Sequence, residues 1–213
     1  MIEIVQTGQA GKTGLLFDMH RLRARVFRDM LKWDVAVNAD GLEVDRFDLP
    51  EAVYLLAMNK QSRVIGSWRL LPTIGPTMIR EIWPQYLETL PMPASDDVYE
   101  VSRFAVHALE EDSKEAAQQA IGEMFCALTE LCLAAGIREI HTMYDDRIAK
   151  IIRRIDCQPD KVSARLPIGD LMCQTGSFTT DQDMLKRLRA ATGITQTLLA
   201  GIDLPPAMAR RVS

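Results

Sequence analysis

The chain has 213 residues, 47% of them hydrophobic and 25% charged, with a net charge of −4 at neutral pH. That balance excludes a disordered chain and provides enough apolar material for one core. It gives no overall electrostatic pull toward nucleic acid or anionic membrane, so any basic partner site has to be local. The four cysteines, Cys126, Cys132, Cys157 and Cys173, include no C-x-x-C pair. His20, His107 and His141 make no metal-ligand pattern with them, so no metal is expected and the thiols read as buried and free in a reducing compartment. The opening "MIEIVQTGQAGKTG" lacks a basic and then apolar leader, and no apolar run reaches the length of a membrane span. A soluble, cytoplasmic protein without metal or resident cofactor is the expectation.

In chain order, "MIEIVQ" reads as a short first strand. "GQAGKTG" imitates a phosphate loop, but the pattern ending at Gly11-Lys12-Thr13 needs glycine at position 6, where Gln6 stands; a solvated turn is expected. From Leu15 to Leu31, Leu15, Met19, Leu22, Val26 and Met30 recur at helical spacing. "NADGLEVDRFDLP" is a polar loop closed by Pro50. "AVYLLAMN" and "RVIGSWRLL" read as a hairpin. Five prolines between Pro72 and Pro93 break the next stretch into short turns. "VYEVSRFAV", Val98 to Val106, is β-branched and aromatic, a strand. Glu115–Ala135 has a long helical period stopped by Gly136. "REIHTMY" reads as a strand, "DDRIAKIIRRID" as a helix with an acidic start, and "TDQDMLKRLRAAT" as a helix. "ITQTLLAGI" reads as a late strand or short helix. Strand, long helix and strand in the middle predict a parallel crossover, and the front end a meander. The expectation is a single α/β domain over residues 1–213, with a mixed, mostly antiparallel twisted sheet and helices on both faces.

The chemistry lies in charged residues inside predicted elements. Arg23 and Phe27 are one helical turn apart on a face bordering apolar residues, and Trp33 follows the helix end. A buried guanidinium needs a carboxylate or a bound anion. Asp45 and Asp48 sit in "EVDRFD", Arg69 in the strand "GSWRLL", and Glu100 and Arg103 in "VYEVSRFAV". Strict alternation points Glu100, Ser102 and Phe104 one way and Val101, Arg103 and Ala105 the other. Three arginines and three carboxylates can neutralise one another as a buried network, or grip a zwitterion.

The runs "RLRARVFRDMLKW", "EVDRFD", "GSWRLLPTIGPTM" and "YEVSRFAV" together resemble the acyl-homoserine lactone synthases, the LuxI-type autoinducer synthases, over roughly residues 1–170. The family's characteristic residues fall on Arg23, Phe27, Trp33, Asp45, Asp48, Arg69, Glu100 and Arg103. The resemblance implies a fold similar to that of the Gcn5-related N-acetyltransferases. It also implies a reaction, serving quorum sensing, in which the amine of S-adenosylmethionine, a substrate, is acylated from an acyl carrier protein thioester. The lactone then closes with release of methylthioadenosine. In that setting Glu100 is the expected base, the backbone around Ser102 to Phe104 the expected oxyanion donor, and Arg23 and Arg103 the expected holders of the methionyl carboxylate and the network. Asp45 and Asp48 are expected to orient Arg69 and the amine, and Phe27 and Trp33 to cover the sulfonium end.

By the same resemblance the acyl pocket takes Met78, Phe104, Met143, Tyr144, Ile152 and Ile155. Tyr144 stands where the family often has a small hydroxylated residue, which argues against a 3-oxo product. Arg147, Lys150 and Arg154, at i, i+3 and i+7 with Arg153 beside them, form a basic stripe suited to an acidic carrier. Lys150 and Arg154 also match positions proposed for docking in similar synthases. Competing readings are an acyl-CoA N-acyltransferase of the same fold and a non-catalytic carrier-binding module. The first lacks a pyrophosphate cradle, since "QAIGEM" at Gln119–Met124 lies inside a predicted helix. Acyl-CoA remains open as the donor, and no nucleic acid partner is expected.

Overall fold

The computed structural model describes residues 1–109 and 112–209. β1 (Ile2–Gln6), β2 (Val53–Met58), β3 (Val64–Pro72) and β4 (Val98–Val106) form an antiparallel meander. Helix α3 (Lys114–Ala135) then carries the chain to β5 (Glu139–Asp145), which pairs parallel with β4. Short β6 (Lys161–Val162) and β7 (Leu166–Ile168) flank β8 (Leu171–Thr179), which pairs antiparallel with β5. The remaining helices are α1 (Thr13–Ala24), α2 (Met78–Ile82), α4 (Asp146–Arg154), α5 (Gln182–Thr192) and α6 (Pro206–Ala209). The expected class, a mixed and mostly antiparallel sheet, is the one observed, and the meander and crossover fall where the sequence places them. The phosphate-loop imitation is a turn leading into α1.

Two apolar layers sandwich the sheet. On β2, Val53, Leu55 and Ala57 face the cluster built by α3 and α5, while Tyr54 and Leu56 face the cluster built by Met19, Leu22, Val26 and Phe27. Burial on both faces explains why "VYLLAM" is an unbroken apolar run rather than an alternating one. Gly136 takes φ 67° and ends α3, as its position predicts. Asp145 caps α4 by accepting from the amides of Arg147 and Ile148.

Four features depart from the sequence reading. The helix predicted to Leu31 is α-helical only to Ala24; Arg25–Met30 is a π-turn in which the Leu31 amide reaches Val26 rather than Phe27. Lys32, at φ 57°, then turns the chain so that the Trp33 amide donates to the Phe27 carbonyl. "ITQTLLAGI" is neither strand nor helix; its path is held by Glu130 of α3, which accepts from the amides of Leu198 and Leu199. β8 escaped prediction because "LMCQTGSFT" has weak strand character, and its hydrogen bonds come from distant β5.

The fourth departure shapes the site. Between Ser67 and Arg69 the register of β3 on β4 slips: Ser67 pairs with Ala105 but Arg69 with Ser102. The extra residue on β4 is a bulge, with Arg103 at φ 58°. The bulge breaks the predicted alternation. Phe104 packs with Trp68 and Phe125 on the α3 side, whereas Ala105 joins the α1 side. Arg103 is thereby turned to the same face as Glu100 and Ser102 instead of the opposite one. Beyond Glu100 the pairing of β4 with β5 ends, and the two strands part.

Candidate active site

The loop between α1 and β2 brings its acids under the sheet. Glu43 is tied to α1 through a bond from its amide to the His20 carbonyl, and His20 Nδ1 also meets the Glu43 carbonyl at 2.7 Å. Arg23, wholly buried on α1, contacts Glu43 and chelates Asp48 with both terminal nitrogens, at 2.7 and 3.1 Å. Arg69, wholly buried on β3, donates to Asp45 at 2.6 Å, Asp48 at 2.9 Å and Ser102 Oγ at 3.3 Å. Arg103 reaches Glu43 at 3.2 Å and Asp45 at 2.7 Å. Tyr54 donates its hydroxyl to Asp48. Three guanidinium groups thus meet three carboxylates. Burial opposes the charge of Asp48, but Arg23 and Arg69 outweigh it and hold its pKa well below the usual carboxylate range. Burial also opposes Arg23, and Asp48 and Glu43 more than restore it. Arg103 differs: burial, with repulsion from Arg23 and Arg69, leaves its pKa lowered despite Glu43 and Asp45. Its Nε is buried with no hydrogen-bond partner among the described residues.

This network corrects the expected one. Glu43 is the third carboxylate; Glu100 is not a member. Glu100 accepts instead from the amides of Met78 at 3.0 Å and Ile79 at 2.7 Å, the first residues of α2. Burial raises its pKa, and those amides and Arg69 pull down without cancelling the rise. Arg23 is corrected too. Its donors are taken by Glu43, Asp48 and Met19 Sδ, so it supports the site from beneath rather than facing a ligand. Glu43 was legible as a further acid two residues before Asp45, between Leu42 and Val44.

A cavity of about 290 Å³ lies where β4 and β5 part. Phe27, Trp33, Met78 and Trp83 line one side of the sheet, and Ile121, Ile148 and Ile151 the other. Glu100, Ser102, Arg103, Phe104, Met143 and Tyr144 line the gap itself. Phe27 and Trp33 stack with ring centroids 5.2 Å apart and planes 4° from parallel. Arg103 lies 5.5 Å from the Phe27 centroid and Arg147 5.9 Å from that of Trp33, so cations cap both ends of the stack. A smaller inner pocket, about 50 Å³, continues past Phe104 and Met143 to Trp68, Thr142, Ile152, Cys157 and Phe178.

The sequence pattern described as Autoinducer synthase matches residues 10–188. The chain belongs to the autoinducer synthase family. An acyl-homoserine-lactone synthase of Rhizobium radiobacter is 35% identical over 175 residues, 81% of this chain and 82% of that one. Among solved structures, the CoA-dependent acyl-homoserine lactone synthase BjaI, with SAM and isopentyl-CoA, superposes with a TM-score of 0.81 at 23% identity, covering 100% of this chain and 98% of that one. An N-acetyltransferase chain from Lactobacillus plantarum superposes more loosely, with a TM-score of 0.50 at 13% identity over 83% of this chain and 98% of that one. The synthase is therefore an acyltransferase with an acetyltransferase-like fold.

Most residues expected at the synthase's site converge there. Phe27, Trp33, Met78, Glu100, Ser102, Arg103, Phe104, Met143 and Tyr144 line the cavity, and Asp45, Asp48, Arg23 and Arg69 form the layer beneath. Ile152 lines the inner pocket, but Ile155 does not; α4 turns it into the core. Arg147 leaves the basic stripe, because Asp145 and the Trp33 face draw it to the cavity mouth; Lys150, Arg153 and Arg154 stay exposed. Thr142, one pleat from Tyr144, went unread, and it rather than Tyr144 lines the inner pocket.

Because Asp48 and Asp45 have depressed pKa values in the folded synthase, the stability they supply is present above an unfolded value of about 3.9 and lost as pH falls through the folded values. Asp48→Asn leaves Arg23 and Arg69 under-compensated and should cost about 3–5 kcal/mol at neutral pH. Urea unfolding at neutral pH and at about pH 3 should show the loss shrinking in acid. An equal loss at both would assign the effect to packing.

Proposed function

We propose that this synthase acylates the amine of S-adenosylmethionine from an acyl carrier protein thioester. The methionyl carboxylate then attacks its own γ-carbon, closing the lactone and expelling methylthioadenosine. The observation that carries this reading is Arg103: an under-compensated, half-buried guanidinium whose Nε is buried with no partner among the described residues, on the wall of an apolar cavity and beside a stacked aromatic pair. A substrate carboxylate satisfies that donor, and aromatic faces suit the adjoining sulfonium. Asp45, the least buried acid of the network, is the partner for the ammonium. The amine must lose a proton before it can attack. Glu100, with its raised pKa, accepts that proton through a water. Past Glu100 the ladder to β5 has ended, and the β4 backbone around Ser102 to Phe104 supplies donors for the thioester oxyanion. The acyl chain passes through the gap toward Phe104 and Met143. BjaI, the CoA-dependent likeness, supports this use of the fold.

The likeness to BjaI also favours a second reading, in which acyl-CoA is the donor. Two features favour the carrier. Gln119–Met124 lies in mid-helix, with its amides consumed by α3, so it makes no pyrophosphate cradle. The exposed Lys150, Arg153 and Arg154 suit an acidic protein surface. Reversing Lys150 and Arg154 to Glu should raise KM for acyl carrier protein about tenfold or more and leave KM for S-adenosylmethionine nearly unchanged. Equal kcat/KM with acyl-CoA and acyl carrier protein decides for the second reading.

Mass spectrometry of extracts from a host expressing the chain tests the class, through an N-acyl-homoserine lactone and its acyl mass. Glu100→Gln faces a backbone donor with its own NH₂, so a stability loss of about 1–3 kcal/mol is expected. Turnover of the folded variant should fall about 100-fold or more. The wild-type kcat/KM should rise with pH through a value above the ordinary glutamate pKa of about 4.3, and that limb should vanish in the variant. A folded variant within about threefold of wild type would remove Glu100 from the chemistry.

A further inference from the structure

Behind the cavity lies a second basin, about 240 Å³, between α4 and the β8 side of the sheet. Ala149, Ile152, Pro159, Val162 and Met172 give it an apolar side, while Asp145, Arg153, Gln158, Gln174 and the Asp146–Arg165 ion pair make the rest of its lining polar. Val162 and Met172 are 49% and 43% exposed, large apolar side chains left uncovered beside a hollow. Tyr144 and Asp145 line both the main cavity and the basin, and Ile152 lines both the inner pocket and the basin.

Tyr144 is seated by two local features. Gln174, its cross-strand partner on β8, donates to the phenol oxygen at 2.7 Å. Gly176, two residues on, makes room for the ring: a Cβ there would lie 3.0 Å from Tyr144 Cε1 and 2.9 Å from Pro159 Cβ. Besides its packing in the core, the ring is held by one side-chain hydrogen bond among the described residues, a latch, rather than by a chain of ion pairs such as the one that fixes Arg23 or Arg69.

We propose that Tyr144 is a plug at the rear of the acyl channel, and that the basin receives the distal methylenes of long acyl chains when Tyr144 turns aside. With the plug closed, an acyl tail has only the small inner pocket beyond Phe104 and Met143. With it open, apolar surface that now faces water is covered by the tail, which favours long chains. Tyr144 thus sets acyl length, a role separate from substitution at the third carbon. The inference rests on the acyl group lying between β4 and β5.

The test is the ratio of kcat/KM for a sixteen-carbon against an eight-carbon acyl carrier protein thioester. In Tyr144→Ala the ratio should rise about tenfold or more, the scale on which pockets discriminate methylenes. Adding Ala149→Phe, which refills the basin, should return it toward wild type. Gln174→Leu, which cuts the latch and leaves the ring, should raise it by less; this variant also decides the matter if Tyr144→Ala does not fold. KM for S-adenosylmethionine should not move in Gln174→Leu, because the Gln174 side chain lies outside the main cavity. Folded variants that make lactone with a ratio within about twofold of wild type would overturn the plug. Palmitic acid binding, by calorimetry, separates this from failure of the proposed reaction. It should tighten about tenfold in Tyr144→Ala even if no lactone forms with any donor, and unchanged binding would overturn the plug on its own.

Discussion

Six buried and half-buried charges hold this molecule's working face together. Arg23 comes from α1, Arg69 from β3 and Arg103 from β4, and the loop carrying Glu43, Asp45 and Asp48 has no regular structure of its own. Desolvating that many charges is unfavourable unless each finds partners, and here opposite charges match in number. The consequence is positional. The loop can sit in one place only, because displacing any acid strands a buried guanidinium. That fixed loop supports the floor of the cavity, and the π-turn after α1, with the residues that follow it, presents Phe27 and Trp33.

The network stops one step short of neutralising Arg103. Its Nε has no partner among the described residues, and its charge is disfavoured by burial and, to a lesser degree, by its two neighbouring arginines. A fully satisfied network is inert scaffold; an incompletely satisfied member at its edge is where a ligand gains binding energy. Arg103 reaches that edge only because the bulge gives it φ 58°, a conformation costing about 1–3 kcal/mol for a non-glycine residue. The surrounding ladder and ion pairs maintain it.

The same strand provides the second element of the site. Where β4 leaves β5, the sheet opens into a passage with polar groups in its gap and apolar side chains on both faces. A zwitterionic substrate and an apolar tail can therefore meet in the plane of the sheet. Glu100 stands at the fork, with its carboxylate bonded to the start of α2, so the acid proposed for proton transfer also anchors one wall of the cavity.

By itself the sequence determined the meander, the long crossover helix with its glycine stop, and the charged residues Arg23, Asp45, Asp48, Arg69, Glu100 and Arg103 as groups in need of partners. Each of these rests on local periodicity, turn chemistry or a residue type that is costly to bury, whereas the aromatic and acyl-pocket residues rested on the resemblance to the synthases. Tertiary structure alone decided which charges meet. Glu43 rather than Glu100 completes the network, because the loop docks on His20 and Glu100 is claimed by the amides of α2. Alternation put Arg103 on the wrong face, since a bulge depends on the slip between β3 and β4 and leaves no trace in β4's own pattern. Arg147 looked like surface charge until Asp145 and Trp33 drew it to the cavity mouth. β8, polar and weak in strand character, exists because β5 offers it a ladder. In each case the deciding partner is distant in sequence, and the energy that selects the arrangement comes from burial and pairing that no local window contains.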